Sequence, residues 1–438
     1  MSLSKNPYRG CRDFFPKEKR LQNFIFSKMR ETAELFGHEP YDGPMLEEVE
    51  LYRAKSGEEL INEQIYSFHD RGERFVAIRP EMTPTLARMV AQIHRETPKP
   101  IRWYAIPNLM RYEKPQKGRL REHWQFNCDI FGAPPSMGEL EIFQLAIAFL
   151  QSFGATEKHF EILVNDRRFV DHIFRQIMKL DDNTVYKLYK IVDKSTKVSR
   201  EALEEMVAAL AMPSESSGLF YKYLAIANFD ECLDFIDKFK ITTEMTEFRN
   251  LITLFKELGL LKFLKYSPTI VRGLDYYTGV VFEIFDKNPE NRRAISGGGA
   301  YSNLLTIFNE PALSGVGFGL GDVTLTDFLI THQLLNKNFG PEVDMLVTFQ
   351  NENALLFATR FAQTLRANKI KTLFYPQELK FNKVFPYAEK QGASFVALIG
   401  EQEVKNGQVQ IKNLSNKEQH NLPINDITTI IKTIKPNG

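Results

Sequence analysis

The sequence predicts an α+β chain with three parts: a core of strands with flanking helices, a helical insertion, and a separate small α/β domain. Three observations predict it. Helical and strand-like apolar spacings alternate up to about residue 166. Short helical stretches of mixed charge, with little β-branched alternation, fill 168–260. After "NKNFGPE" the order strand, helix, strand, helix, strand runs towards the C-terminus, the signature of an α/β unit with a parallel or mixed sheet.

Each element has its own reason. Leu21, Phe24, Ile25, Met29, Ala33 and Phe36 fall on one stripe and predict a helix over 17–37. The chain turns at "YDGP" and begins a strand-like run near 44–46. "RFVAIRPEMTPTLARMVAQI" reads as a strand ending at Arg79, then a helix with Pro84 in its first turn. Residues 109–131, "LMRYEKPQKGRLREHWQFNCDIF", read as two strands around a turn that holds Pro115 and Gly118. Leu140, Phe143, Ile147 and Leu150 share a face of a helix over 139–153, and "HFEILVND" is a strand. Strand signals return at "TIVRGLDYYTGVVFEIF" and "SGVGFGLG". The last part reads as strand "VDMLVTF", helix 351–368, strand "IKTLFY", helix 378–391, strand "SFVALIG", a hairpin-like "VQIKNL" and a final helix.

Composition narrows the class. A length of 438 residues gives room for roughly two to four domains. Lys and Arg number 56 against 55 Asp and Glu, so a nucleic-acid site must be a local patch. Cys11, Cys128 and Cys232 are odd in number and far apart, which argues against a disulfide framework and shows no CxxC metal pair. Eight scattered histidines form no zinc pattern. The polar N-terminus lacks the apolar core of a signal peptide, and no run of 18 apolar residues occurs. The expectation is a soluble, cytoplasmic protein without a membrane partner.

Four stretches carry chemistry. In the first, Arg111, Lys114, Lys117, Arg119 and Arg121 lie within one short segment and repel one another unless solvent or an anion compensates. If the two arms pair as strands, Arg111, Glu113, Arg119 and Arg121 alternate onto one face. Guanidinium forks suit phosphate oxygens, and Glu113 adds an acceptor for a base amino group or a metal ion. The plainer reading is a solvated loop with salt-bridged arms. Second, "VRGLDYYTGVVFEIF" sets Arg272 and Asp275 beside Tyr276 and Tyr277; read plainly, it is a core strand with a Tyr-rich turn. Third, in "RPEMTPT" Glu81 and Thr83 sit where strand gives way to helix, able to meet an ammonium group or simply to cap the helix. Fourth, Gly315, Gly317, Gly319 and Gly321 alternate along an extended segment, leaving room for another backbone or a flat ligand. No strand–turn–helix unit of the dinucleotide type surrounds them.

Together, and in this order, the four stretches resemble class II aminoacyl-tRNA synthetases, and among them the histidyl-tRNA synthetases. "RGCRDFFP" at 9–16 looks like the family's N-terminal signature, and Pro44 sits where motif 1 places its proline. "MRYEKPQKGRLREHWQFNCDIFG" is similar to motif 2, and "VRGLDYYTGVVFEIF" to the histidine-specific signature. "AEKQGASFVALIGEQEVKNGQVQIKNL" resembles the anticodon-binding domain. The resemblance covers nearly the whole chain. It implies a class II antiparallel sheet core with flanking helices over 1–167 and 261–335, a helical insertion at 168–260, and an anticodon-binding domain at 342–438. It also implies a homodimer through motif 1. The implied activity is that of an aminoacyl-tRNA ligase: L-histidine is activated with ATP, accompanied by Mg2+, and passed to the 3′ end of tRNA(His).

The resemblance also implies roles. Arg111 binds the α-phosphate, and Arg272 neutralises that phosphate and the histidine carboxylate as they meet. Arg119 and Arg121 serve the distal phosphates, and Glu113 faces adenine or a metal. Glu81, Thr83 and Gln125 bind the α-ammonium group. Asp129 and Tyr277 bracket the imidazole, with Tyr276 beside them; the family usually has Glu where this chain has Asp129. Gln116 and Lys117 reach the tRNA acceptor end.

The chain departs from the family in the nucleotide half. Motif 3 normally carries an adenine-stacking arginine, and here Asp322, Val323 and Thr324 stand instead. Ala300 and Ser302 replace a usual Arg and Asp, and His123 replaces a usual Phe. Either adenine is held by other contacts, such as His123 and a relocated Arg292 or Arg293, or ATP use is lost and the chain is a non-catalytic regulatory or tRNA-binding paralogue. Glu81, Arg111, Gln125, Arg272 and Tyr277 favour the first reading. The tail at 342–438 argues against a likeness to the regulatory subunit of ATP phosphoribosyltransferase, and "RGLDYYTG" against a synthetase for threonine, proline or glycine.

Overall fold

The computed structural model describes residues 3–54, 60–241, 245–271, 276–335, 339–377 and 381–435. It divides into two compact units, Met1–Asp13 with Asn23–Asn336, and Phe14–Gln22 with Lys337–Gly438.

The helix predicted at 17–37 is α1 (Pro16–Leu35), with Ile25, Met29 and Ala33 buried along one stripe. The larger unit continues through β1 (Glu39–Pro40), β2 (Leu46–Glu48), α2 (Val49–Arg53), β3 (Tyr66–His69), β4 (Phe75–Ile78) and α3 (Thr83–Ile93). Then come β5 (Ile101–Ala105), β6 (Asn108–Met110), β7 (Glu122–Phe131), α4 (Met137–Gln151) and β8 (Phe160–Asp166). A helical stretch follows: α5 (Arg167–Asp171), α6 (Asp182–Lys194), α7 (Arg200–Ala208), α8 (Ser214–Leu224), α9 (Phe229–Lys238) and α10 (Thr246–Glu257). The chain returns to strands with β9 (Leu264–Tyr266), β10 (Val280–Asp286), β11 (Ser296–Tyr301) and β12 (Gly315–Gly321), and α11 (Asp322–Thr331) closes the unit.

Among the described residues nine of these strands form one sheet, ordered β1-β5-β7-β12-β11-β10-β8-β9 with β6 paired to β7, and β2, β4 and β3 form a second. Only the end pairs β1–β5 and β8–β9 are parallel; the interior is antiparallel. Strand periodicity sorts the two faces. Phe126, Cys128 and Ile130 of β7 are buried on one face, with the apolar side of α4 in the same core. The rings of Phe126 and Phe149 lie 5.1 Å apart, and those of Phe143 and Phe282 4.6 Å apart. Gln125, Asn127 and Asp129 alternate with these residues and belong to the other face.

Three local expectations are corrected. The arms of 109–131 do not pair along their whole length: β6 ends at Met110 and β7 starts at Glu122. Arg111, Glu113, Arg119 and Arg121 therefore lie in the connection and do not alternate on a strand face. Pro115 has no N–H to give a ladder, and Gly118 adopts φ +73°. A single bridge, Gln116 with Arg119, tightens the tip. Among the described residues of 269–285, which leave out 272–275, the strand runs from Val280. Finally, "SGGGAY" is a central strand, β11, that the apolar-alternation reading passed over.

The smaller unit contains β13 (Val343–Phe349), α12 (Glu352–Ala367), β14 (Thr372–Phe374), α13 (Phe381–Lys390), β15 (Ala393–Ile399), α14 (Glu401–Asn406), β16 (Gln408–Asn413), β17 (Gln419–Pro423) and α15 (Ile427–Ile434). The helix predicted at 378–391 is described only from Phe381 onward. Among the described residues the strand order is β14-β13-β15-β16-β17, with β14, β13 and β15 parallel and β16 and β17 antiparallel. Met345, Val347 and Phe349 pack with α12 and α15, while Leu346 packs with Val384 and Ala388 of α13. Both faces of β13 are covered, which is why its sequence reads as a continuous apolar run.

Candidate functional site

A cavity of about 770 Å³ lies within the larger unit. Its lining brings together Glu81, Thr83, Arg111, Arg119, Gln125, Asp129, Tyr276 and Tyr277, which the sequence analysis singled out from three separate stretches. Asn127 and Tyr301 line it as well, and α6 contributes Tyr186, Tyr189, Lys190, Asp193 and Lys194.

The glycines make the floor. Gly317 pairs in register with Asp129, Gly299 with Gly317, and Gly315 with Tyr301. A Cβ at Gly317 would run into the Asp129 carboxylate, and one at Gly319 would lie 2.6 Å from the Gln125 amide carbon. A Cβ at Gly299 would lie 2.7 Å from the Tyr277 ring, and one at Gly315 would collide with the Tyr301 ring. The alternating glycines thus make room for the site's own polar side chains to lie flat over the sheet.

At one end of the cavity the groups are buried and polar. The Tyr301 hydroxyl donates to Asp129 Oδ1. Burial pushes the Asp129 carboxyl up to about 7, and the bond from Tyr301 works in the opposite direction. Tyr276 donates to Glu81 Oε2 at 3.4 Å, and its ring lies 4.7 Å from Tyr277 and 5.9 Å from Tyr301. The N-cap of α3 is Met82, which makes no side-chain capping bond, and Glu81 and Thr83 both line the cavity. Sequence reasoning missed Tyr301. Its signal in the sequence is the glycine-rich strand that it ends, between Ala300 and Ser302.

The other end is cationic. Arg111 is held by Nε donating to Pro80 O at 2.8 Å. Its backbone N–H donates to Arg121 O at 2.8 Å, closing the connection. Glu113 is buried and ion-paired with Arg119. Among the described residues, five of those predicted are not in the cavity lining: Glu113, Gln116, Lys117, Arg121 and His123. Arg121 is stacked 4.0 Å from the centre of the Tyr112 ring and donates to the Tyr8 hydroxyl at 2.8 Å. Gly10, at φ +88°, lets the N-terminal segment press onto the Arg121 side chain, where a Cβ would come within 2.7 Å of Cγ. Lys117 donates to Glu290 O at 3.4 Å. Burial, then the charges of Arg111, Arg12 and Arg119, hold His123 down at about 3, so its imidazole is neutral at physiological pH.

The motif 3 position is occupied by an ion pair that sequence reasoning also missed. Asp322 opens α11, pairs with Arg12 at 2.7 Å, and accepts the Trp124 backbone N–H at 2.9 Å. Residues 10–12 are tied to β7, where Gly10 O accepts the Glu122 N–H at 3.2 Å, and to α11 at Arg12. Arg272 and Asp275 lie outside the described residues. Among the described residues no group of three or more His, Cys, Asp or Glu could hold a metal ion, and no helix is long and apolar enough to cross a membrane.

Comparison with known proteins bears on this arrangement. Residues 10–323 match the family model described as histidyl-tRNA synthetase, and residues 343–434 match the anticodon binding domain. The chain is 41% identical over 430 residues to a histidine–tRNA ligase of Leptospira biflexa, covering 98% of each. It is 35% identical over 431 residues to one of Thermoplasma volcanium, covering 97% of each. In fold it is similar to a crystal structure of histidyl-tRNA synthetase from Nostoc sp. PCC 7120, with a TM-score of 0.80 at 21% identity over the full length of both chains.

Proposed function

The chain belongs to the histidyl-tRNA synthetase family, and on that premise we propose that it activates L-histidine with ATP and transfers the histidyl group to tRNA(His). One observation carries the reading: a single cavity joins a buried carboxylate–phenol pair at one end to arginines at the other. The first end suits an imidazole and an α-ammonium group; the second suits phosphates.

In the first step a histidine carboxylate oxygen bonds to the α-phosphorus of ATP while the bond to pyrophosphate breaks. In the second, a ribose hydroxyl of the terminal adenosine takes the histidyl group and AMP leaves. Neither step needs a protein nucleophile, so orientation and charge stabilisation carry the rate. Asp129 and Tyr277 address the ring nitrogens, with Tyr276 alongside. Glu81, Thr83 and Gln125 hold the ammonium group. Arg111 takes the α-phosphate together with Arg272. Arg119 faces the distal phosphates, and Arg121, stacked on Tyr112, supports the loop that carries them. His123, neutral and therefore free of charge repulsion with Arg111, serves as the ring beside adenine. Gln116 and Lys117 at the tip meet the acceptor end. Mg2+ would come with ATP and neutralise phosphate charge; Glu113 is committed to Arg119 and would orient that arginine towards the phosphates rather than ligate the ion.

The same reading assigns 1–167 and 261–335 to the catalytic core, 168–260 to an insertion, and 342–438 to anticodon binding. A homodimer is supported by exposed Met45, Leu46 and Phe68, on or beside the small antiparallel sheet of β2, β4 and β3 next to the motif 1 proline. The working place is the cytoplasm, where tRNA is charged. Histidine-dependent exchange of pyrophosphate into ATP tests the reading, with threonine, proline and glycine as controls. Exchange with histidine alone supports it. Folded protein that exchanges with none of the four would overturn it.

A further inference from the structure

The connection between β10 and β11 is anchored on both sides of one arginine. On the near side, the buried Asp286 accepts the Asn288 N–H at 2.7 Å and Asn291 Nδ2 at 2.7 Å, and lies 2.7 Å from His332 Nε2. Asn291 Nδ2 also reaches Thr331 Oγ1 at 3.0 Å. On the far side, the Ile295 N–H donates to Ile284 O at 2.7 Å, and Thr324 Oγ1 donates to Ile295 O at 3.3 Å. Between these anchors stands Arg293.

The 111–121 connection packs onto this loop. Lys117 donates to Glu290 O. A Cβ at Gly118 would lie 3.1 Å from Arg293 Cδ and 3.4 Å from Thr324 Cγ2, so the arginine stem and the threonine meet the same glycine. Arg293 is half-buried, and among the described residues it makes no ion pair. Its charged neighbours are Arg119 and Glu113. The Glu113 carboxylate is already paired with Arg119. Two guanidiniums therefore share one carboxylate, and burial followed by the Arg119 charge holds Arg293 below the usual guanidinium range. A rigid, half-buried excess of positive charge calls for an anion. Arg119 lines the cavity, so that anion reaches out from it.

We infer that Arg293 binds the pyrophosphate portion of ATP together with Arg119, supplying from the β10–β11 loop the cation that Thr324 and its neighbours in motif 3 do not carry. This rests on the reading that the cavity takes ATP. The test is calorimetric titration of ATP, of pyrophosphate and of histidine into the full chain, run beside the exchange assay. R293A is expected to weaken ATP and pyrophosphate binding by about tenfold or more, the loss of a charge-assisted contact. Histidine binding should stay within about twofold, which also shows that the fold is intact, and R293K should recover part of the loss. Unchanged pyrophosphate affinity in R293A overturns the inference, including the case where ATP alone weakens, which would mean a contact to the base. Wild-type protein that binds no pyrophosphate overturns it too. Wild-type protein that binds pyrophosphate through Arg293 but exchanges none sinks the enzymatic reading and leaves the anion site standing.

Discussion

Tyr301 donates its hydroxyl hydrogen to Asp129 across a strand that separates them: β11 ends in the tyrosine, β7 carries the aspartate, and β12 runs between with Gly315 and Gly317 in register beneath the pair. The hydrogen bond arches over a strip of bare backbone. A buried carboxylate held this way is a specific partner for a ring N–H, because a side chain lacking that group leaves it without a ligand partner.

The pH dependence of histidine use should follow this bond. Burial raises the Asp129 carboxyl to about 7, and the Tyr301 bond counters the rise. Y301F removes the counteracting bond, so the carboxyl should ionise at higher pH. We expect the midpoint of kcat/KM for histidine, measured by exchange from about pH 6 to about pH 9, to move upward in Y301F. Free histidine titrates alike in both assays and cannot produce the shift. Coincident profiles would show that the bond does not tune Asp129.

The same group should tilt stability. In the unfolded chain Asp129 ionises near about 4, and in the fold near about 7. Between these values the folded state keeps a proton that the unfolded state has lost, so stability falls as pH rises through the window. D129N carries no such titration. Its urea midpoint relative to wild type should therefore be higher at about pH 8 than at about pH 5; a constant difference would count against a raised carboxyl.

Glycines on β12 should differ sharply in tolerance. G317A drives a methyl into the Asp129 carboxylate, whereas the nearest atom to a Cβ at Gly321 is Thr324 Oγ1 at an ordinary 3.5 Å. Overpacking of the first kind costs about 1–3 kcal/mol, and here it falls on the histidine pocket. KM for histidine should rise by about tenfold or more in G317A and stay near wild type in G321A. Equal effects would mean that the strand needs glycine for its backbone and not for the site.

These residues also mark how far the sequence could be read. The α/β unit was legible because β13 and β15 are apolar runs separated by helical periodicity, and burial on both faces writes itself directly into composition. The cavity's two ends were legible as Glu81, Gln125 and Asp129 against Arg111 and Arg119. β11 was not, since Gly297, Gly298 and Gly299 carry no side chains to alternate, and the acceptor for Tyr301 lies two strands away. The Arg12–Asp322 pair joins residues 310 positions apart, beyond the reach of any local pattern.

That pair should matter for stability. Asp322 is buried and serves two donors, Arg12 and the Trp124 N–H. D322A removes the acceptor that both donors use and should cost about 2–3 kcal/mol. D322N keeps an oxygen for Trp124 and should cost less, with the difference between the variants reduced in an R12A background, because only then is the shared partner gone. Urea unfolding of wild type, R12A, D322A, D322N and the two double variants reads this out; full additivity of R12A with D322A would mean that the ion pair contributes nothing beyond its separate halves.

Arg111 should be irreplaceable by lysine. Its Nε is committed to Pro80 O at 2.8 Å, which fixes the plane of the guanidinium and leaves the terminal nitrogens for a ligand in the cavity. A lysine has one nitrogen and cannot do both. R111A and R111K should both lower kcat for histidine-dependent exchange by about 10²–10³, as expected when a preorganised donor to developing charge is lost. If Arg111 and Arg272 act on the same phosphate, the double variant should lose less than the product of the single losses, because the second removal finds the charge already poorly held. R272A should leave tRNA binding within about twofold of wild type, since its work is done before tRNA is charged. Multiplicative losses would place the two arginines on separate groups, and a matching loss of tRNA binding in R272A would remove Arg272 from the adenylation step.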